Sequence, residues 1–573
     1  LTVWAKTIRA GVLACALTAP LGAAATGVSG DYLAARQASF LGDFEAAARY
    51  YGRALAHDPG KPELLERAIY ANISLGKLNL AADLAGRLGQ QGYASELGQM
   101  ALISQDVRAQ DYAGVLSAIE AQRGLGPLAD GLVRAWALLG NGDRDAALEA
   151  FDEVGRMQGL APFSSYHKAL ALASVGAFRE AEAIFADAAA GSMTATRRGI
   201  MARAEILSQL DRNGDAVALI DTSFGADLDP GLAALREALD SGQQVPFTHA
   251  ETARDGVAEV FYTLAAALSS ERNDDLTLLY ARLAEFLRPT HVDAILLSAE
   301  VLDEMGQFDL AVETYAAVPK AHPAYHAAEL GRADALQAQD KLEQAVAVLA
   351  ALAETHGELP IVHSTLGDLM RRMERYDDAV AAYTTALDQV AEITERQWFI
   401  FYARGISYER MDEWEQAEAD FRRALELNPE QPQVLNYLGY SLVEKQIKLD
   451  EALNLIERAV AARPDSGYIV DSLGWVLYRL GRYEEAVAHM ERAAELMPID
   501  PIVNDHLGDV YWAVGRHREA EFMWRRALSF VDWEDAAEEA DPDRIRRKIE
   551  VGLDQVLAEE GAPPLQMAND DTR

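Results

Sequence analysis

Apolar residues recur along this chain at the i, i+3, i+4, i+7 spacing that gives a helix one buried stripe, and the helical stretches come in pairs. The pairs share a grid that returns about every 34 residues. In residues 398–431 the first half carries Tyr402 and Gly405, and the second carries Trp414, Ala417, Phe421, Ala424 and Pro429. The grid returns with Leu438, Gly439, Ala452, Ala459 and Pro464, then with Leu473, Gly474, Gly481, Tyr483, Ala486, Ala493 and Pro498, and again with Leu507, Gly508, Gly515, Ala520, Trp524 and Ala527. Earlier copies are more worn. Gly42, Phe44, Ala47, Tyr51, Ala54 and Pro59 form the first, with helices predicted over 31–41 and 43–57. Gly76/Ala81/Ala85, Gly142/Ala147/Phe151, Gly176/Ala181/Phe185 and a faint unit near Ala216 and Ile220 follow. Residues 221–250 break the rhythm with Gly225, Pro230, Gly242 and Pro246. It resumes at Tyr280/Ala284/Pro289 and runs through Gly306/Phe308/Ala311/Tyr315, Ala345/Leu349 and Tyr376/Ala379/Tyr383/Ala386. The recurring glycine of the first helix and alanine of the second mark places where two helices approach closely. A larger side chain there should overpack by about 1–3 kcal/mol.

This grid resembles the tetratricopeptide repeat (TPR), in which each repeat is a helix–turn–helix. The resemblance implies an all-α superhelical solenoid of antiparallel helix pairs, roughly fourteen repeats long. We expect two lobes, 26–220 and 258–528, joined by an irregular hinge over 221–257. Residues 529–560 should form an acidic connector and one final amphipathic helix, with Ile545, Ile549, Leu553 and Val556 on its stripe, capping the open end. The tail 561–573 is polar and is expected to be disordered.

At 573 residues the chain is too long for one core, which repeat stacking circumvents because each unit packs only on its neighbours. The net charge of −38 repels phosphate backbones and argues against a nucleic-acid partner. The single cysteine, Cys15, excludes a disulfide framework and a thiolate metal site. The first 25 residues read as an export signal: Lys6 and Arg9, an apolar run over 10–19, then Ala23 and Ala25 in an A-x-A pattern. That run is too short to span a membrane. Cys15 follows Val12-Leu13-Ala14, a weak lipobox, and is a candidate lipidation site that competes with removal of the whole segment. A membrane contact is expected only through such an anchor.

No P-loop, G-x-S-x-G elbow, H-E-x-x-H or C-x-x-C occurs, so no motif supports an enzyme, and neither a cofactor nor a metal is expected. His322 and His326 have i,i+4 spacing but no third ligand. Residues 211–215 suggest a calcium loop, but the EF-hand spacing fails and the segment falls where a turn between helices belongs.

The informative residues lie on the first helices, which line the concave side of a TPR superhelix. Positions two, five, nine and twelve of each repeat face that groove. Here they read Phe399, Tyr402, Ile406 and Glu409; Gln433, Asn436, Tyr440 and Val443; Tyr468, Asp471, Trp475 and Tyr478; and Ile502, Asp505, Asp509 and Trp512, with Arg410 and Arg479 flanking. Aromatic and arginine anchors are what protein-binding hot spots are made of, and Asn can satisfy both polar groups of an extended peptide backbone. Tyr402, Tyr468 and Tyr478 are expected in the groove. Trp475 and Tyr440 fit either the groove or the packing between helices. The carboxylate-clamp TPR subtype is disfavoured, because Asp471, Asp505 and Asp509 stand where it needs Lys and Asn.

Residues 435–440 (Leu-Asn-Tyr-Leu-Gly-Tyr), 471–475 (Asp-Ser-Leu-Gly-Trp) and 506–510 (His-Leu-Gly-Asp-Val) are more specific than the bare grid. Over residues 398–528 the chain resembles exported proteobacterial TPR proteins. That group includes outer-membrane lipoproteins that act as adaptors for a periplasmic carboxyl-terminal processing protease. The resemblance implies a periplasmic scaffold whose groove binds proteins or extended peptide segments, including such a protease and its substrates. Tethering would raise the effective concentration of one partner near another. The alternative expectation is a scaffold for envelope polysaccharide export or secretion machinery.

Overall fold

The computed structural model describes residues 28–565, apart from positions 94, 122, 188–191, 226–227 and 532–539. The expected signal segment 1–25, the candidate lipid site Cys15, most of the acidic connector and the tail beyond 565 lie outside the described residues. Every regular element among the described residues is a helix, and consecutive helices pair from Val28–Phe40 with Phe44–His57 through to Pro501–Ala513 with His517–Phe530. The expected solenoid of roughly fourteen pairs is therefore present.

Local chemistry sets the boundaries. Asp43, Asp111, Asp143, Asn273 and Asp500 each accept a backbone N–H of the first turn that follows them. Proline opens several first helices, as at Pro432 and Pro501, where a missing N–H costs nothing. The turn inside a pair needs one left-handed residue. Gly481 and Gly515 supply it at φ 75° and 78°, while Asp412 takes the same conformation at φ 61° despite its Cβ.

The close-approach grid is physical. A Cβ on Gly405 would stand 2.7 Å from the Phe421 ring, one on Gly439 2.6 Å from Ile456, and one on Gly508 2.4 Å from the Trp524 indole. The matching alanines, Ala417, Ala452, Ala486 and Ala520, are fully buried.

The chain divides into two compact units, Leu1–Leu352 and Ala353–Arg573. This places the division about a hundred residues beyond the hinge expected over 221–257. Those residues instead lie inside the first unit, where Pro230–Asp240 forms a helix capped by Asp229. The breakers there end one helix pair and start a lone helix, so Gly and Pro punctuated a local interruption and not a domain boundary.

The first unit closes on itself. Helix Ala253–Ser270 packs on Pro127–Gly140, and Asp274–Leu287 packs on both Glu96–Arg108 and Pro62–Ser74. Gly256 lies so close to Trp136 that a Cβ would stand 2.2 Å from the indole. Tyr70 donates to Asp275 at 2.6 Å, and the Arg282 Nε donates to the Ser74 carbonyl at 3.2 Å. Helix Ala253–Ser270 is long and apolar on more than one side, with Val257, Ala258, Val260, Phe261 and Ala265 fully buried. A helix of that kind needs cover all round, and the early repeats provide it.

In the second unit the first helices of successive pairs approach one another more closely than the second helices do. The row of first helices is thus the inner face. At the end of the row the expected single helix is two, Pro542–Val551 and Leu553–Glu560, broken at Gly552 with φ 87°. The break lets Ile545, Leu553 and Val556 all reach the core.

Candidate functional site

The inner face of the second unit carries a cleft of about 300 Å3. Helices Trp398–Arg410, Pro432–Glu444, Gly467–Arg479 and Pro501–Ala513 form its walls, together with the turn that precedes the last of them. Glu409, Arg410, Asn436, Tyr440, Tyr468, Asp471 and Ile502 among the predicted positions line it, and Glu444 and Asp500 join them. Tyr468 is 48% exposed although it is a large aromatic residue. Asn436 is only 8% exposed, and its Oδ1 has no hydrogen-bond partner within the chain. An unsatisfied buried amide oxygen is costly, which makes it a natural receptor for a donor from outside.

One wall of the cleft is stiffened by a stack. Trp475 lies between Tyr478 and His506, with ring centroids 4.8 and 3.9 Å away and planes 11° apart in both cases. Its indole N–H donates to Glu444 at 2.7 Å, and Arg479 stands 5.9 Å from its ring. The His506 Nδ1 is 3.0 Å from the Asp471 carboxylate. Burial disfavours the imidazolium, but Asp471, with Asp505 and Asp509 behind it, outweighs burial and raises the His506 pKa. Trp475 and Tyr478 are thus wall, not lining, and burial pushes the Tyr478 hydroxyl pKa well above its usual value. Tyr402 packs half-buried against Trp398, Phe421 and Tyr437, and its pKa is pushed up to about 12 mainly by burial. Phe399 is 38% exposed but does not line the cleft.

The last turn of the predicted groove is closed. The Lys548 ammonium, wholly buried, reaches Asp505 at 2.8 Å and both oxygens of Asp509 at 2.7 and 2.8 Å. The Trp524 indole N–H also donates to Asp509 at 2.9 Å. Trp512 donates to Asp554 at 2.9 Å and stacks on His517. The two terminal helices therefore cover Asp505, Asp509 and Trp512, which do not face an open channel as the repeat positions implied. Burial raises the Asp505 pKa, with Lys548 opposing and Asp509 adding to the rise.

Family models for the tetratricopeptide repeat match residues 132–195, 296–359, 398–431 and 444–501. These four segments are tetratricopeptide repeats. A TPR repeat-containing protein of Pseudomonas aeruginosa is 35% identical over 83 residues, which is 14% of this chain and 14% of that relative. The match thus spans about one seventh of the relative's length. Among solved structures, the hetero-tetramer Cut9–Hcn1 of the APC/C aligns with 90% of this chain and 95% of its own at 16% identity and a TM-score of 0.37. A TPR protein from Parabacteroides merdae aligns with 45% and 97% at 16% identity and a TM-score of 0.36.

The first unit holds a buried charge cluster of its own. In the first unit the Glu259 carboxylate is wholly buried. It accepts from Tyr166 at 2.8 Å and from two nitrogens of Arg198 at 2.9 and 2.6 Å, and lies 3.0 Å from the His291 Nε2. Burial opposes its charge, yet Arg198 and then His291 hold its pKa well below the usual carboxylate range. Arg198 also bonds Asp293. The network ties the repeat helix Arg197–Gln209 to Ala253–Ser270 and Val292–Glu304. His322 accepts the Ala324 N–H at 3.1 Å, and of residues 211–215 Asp211 and Arg212 lie in the turn between two helices of one pair while Asn213 opens the second helix. Among the described residues no group of three or more His, Cys, Asp and Glu gathers as a metal site would require.

Repeat positions alone did not single out Lys548, His506 or Glu259. Lys548 had a readable signal: it stands three residues after Ile545, on the apolar stripe of its helix, where a cation needs a buried partner. Glu259 likewise interrupts an apolar run between Val257 and Phe261.

Proposed function

We propose that this protein is an exported scaffold that captures extended polypeptide in the inner cleft of its second unit. The observation that carries the reading is the pairing, within one cleft, of an exposed Tyr468 with the unpartnered Asn436 Oδ1. An aromatic anchor and a buried amide acceptor are the two contacts that an extended backbone with side chains can use. The cationic n-region and A-x-A pattern of the first 25 residues support export to the periplasm. The resemblance of residues 398–528 to exported adaptor lipoproteins supports a finer role, in which the cleft presents substrates to a carboxyl-terminal processing protease. The first unit, filled by its own helices, would hold the chain rigid and not receive a second peptide along that face.

The test is a photo-crosslinking residue placed at Tyr468 in cells, with one at Phe522, 64% exposed on a second helix, as the control. The expected result is an adduct with an envelope protease or its substrates at Tyr468 and none at Phe522, together with a processed N-terminus near Thr26. Equal labelling at both positions would refute the cleft as the capture site. An unprocessed N-terminus would refute export.

A further inference from the structure

We propose that the cleft selects segments that carry a lysine or arginine side chain, seated against the Tyr468 and Tyr440 rings among carboxylates. The inference rests on the polypeptide-capture reading above and names what is captured. Four carboxylates line the cleft, Glu409, Glu444, Asp471 and Asp500, against one lining cation, Arg410. Arg410 is 59% exposed and only 3.9 Å from Glu409, so it offsets one of them weakly.

The partners of the other three leave acceptor capacity unused. Glu444 receives one indole N–H, through Oε1. Asp500 receives the Val503 N–H of the helix it caps, through Oδ1. Asp471 receives His506 alone. A carboxylate has about four lone-pair sites, so each can accept further donors. A lysine ammonium brings three donors and an arginine guanidinium five, and neither brings an acceptor that the carboxylates would repel.

The aromatic faces add to this. A cation over a tyrosine ring is attracted by the ring quadrupole, more strongly where water is excluded. The unpartnered Asn436 Oδ1, more than nine-tenths buried in the same cleft, is a separate observation that calls for a donor from a ligand. A backbone N–H beside the cationic residue supplies one. An acidic or phosphorylated segment would meet four carboxylates against the single Arg410.

The experiment uses the full chain with the photo-crosslinking residue at Tyr468. It is incubated with flexible Ser/Ala/Thr decapeptides that differ only in one central residue: Lys, Arg, Gln or Glu. The Lys and Arg peptides should label at least tenfold more than the Glu peptide and severalfold more than the Gln peptide. The ratio should fall as salt is raised. A Glu409→Gln/Glu444→Gln variant, whose amide oxygen at position 444 can still accept the Trp475 N–H, should lose the Lys preference, the Lys and Gln peptides then labelling alike. Equal labelling by all four peptides overturns the cationic selectivity and leaves polypeptide capture standing. Labelling by none overturns capture itself, and the selectivity with it. A Lys preference that survives in the double variant also overturns the proposal, because the named carboxylates would not be its source.

Discussion

The buried Lys548 offers the sharpest test of how the second unit ends. Its ammonium is fully shielded and makes three contacts of 2.7–2.8 Å to Asp505 and Asp509. Lys548→Met keeps most of the side-chain volume and removes the charge. It leaves two carboxylates facing each other in a dry site, with Arg544 3.9 Å from Asp509. Breaking a buried pair by deleting one partner costs about 3–5 kcal/mol. Each 1.36 kcal/mol is tenfold in an equilibrium, so local opening should rise by roughly two to four decades. Amide hydrogen exchange is the assay, since repeat arrays open unit by unit. Protection should be lost in Pro542–Val551 and Leu553–Glu560 and weakened in Pro501–Ala513, while Pro432–Glu444 should keep its own. The pH dependence has a definite sign. Asp505 has a folded-state pKa above its unfolded value of about 3.9, so the folded state binds more protons and stability falls as pH rises through that range. Without Lys548 the rise is larger, and the variant's deficit should narrow as pH is lowered. Adding Asp505→Asn and Asp509→Asn should restore much of the protection. Exchange within threefold of the parent in all these helices, or a triple variant no better than Lys548→Met, would refute the reasoning.

Gly508→Ala would drive a methyl into the Trp524 indole, 2.4 Å away, and should cost about 1–3 kcal/mol in urea unfolding of the second unit. An unchanged midpoint would mean the close-approach grid is not what sets the repeat. Gly256→Ala meets Trp136 at 2.2 Å and should shift Trp136 fluorescence and loosen helix Ala253–Ser270 by exchange, an effect confined to the first unit. Because the His506 pKa is raised in the folded state, its pairing with Asp471 contributes stability fully below about pH 6.5 and loses it as pH rises through the folded value. Asp471→Asn should flatten that slope in thermal melts taken from pH 5 to 9, and a slope that persists would assign the titration to another group.

The repeats, their boundaries and their contact points could all be read from the chain, because they follow from local rules: a stripe every three or four residues, a capping Asp, a Gly where two helices touch. Gly405, Gly439, Gly474 and Gly508 each sit against a side chain of the second helix of the same pair, Phe421, Ile456, Met490 and Trp524. The cleft was partly readable, since repeat position finds which residues face inward. It could not say which of them remain accessible, because that depends on what else in the chain comes to rest there. Asp505 and Asp509 faced inward and were covered by Lys548, from a helix about forty residues later in the chain. Tyr478 faced inward and was roofed by Trp475. The closure of the first unit was hidden for the same reason. Gly225, Pro230, Gly242 and Pro246 mark a break in rhythm, but only the partners of the next helices, Trp136 and Ser74 among them, decide whether a break is a boundary.

The hydrogen bond between Tyr70 and Asp275 joins residues 205 positions apart. Contacts so distant in sequence make folding slow, because the loop must close before they contribute. A ribosome adding about 5–20 residues per second needs roughly 10–40 s to go from one partner to the other. For that interval the early repeats stand with their greasy inner wall uncovered. The first unit should therefore be the part of the newborn chain that depends on chaperones, and a nascent chain stopped before residue 253 should aggregate where one stopped after residue 315 stays dispersed.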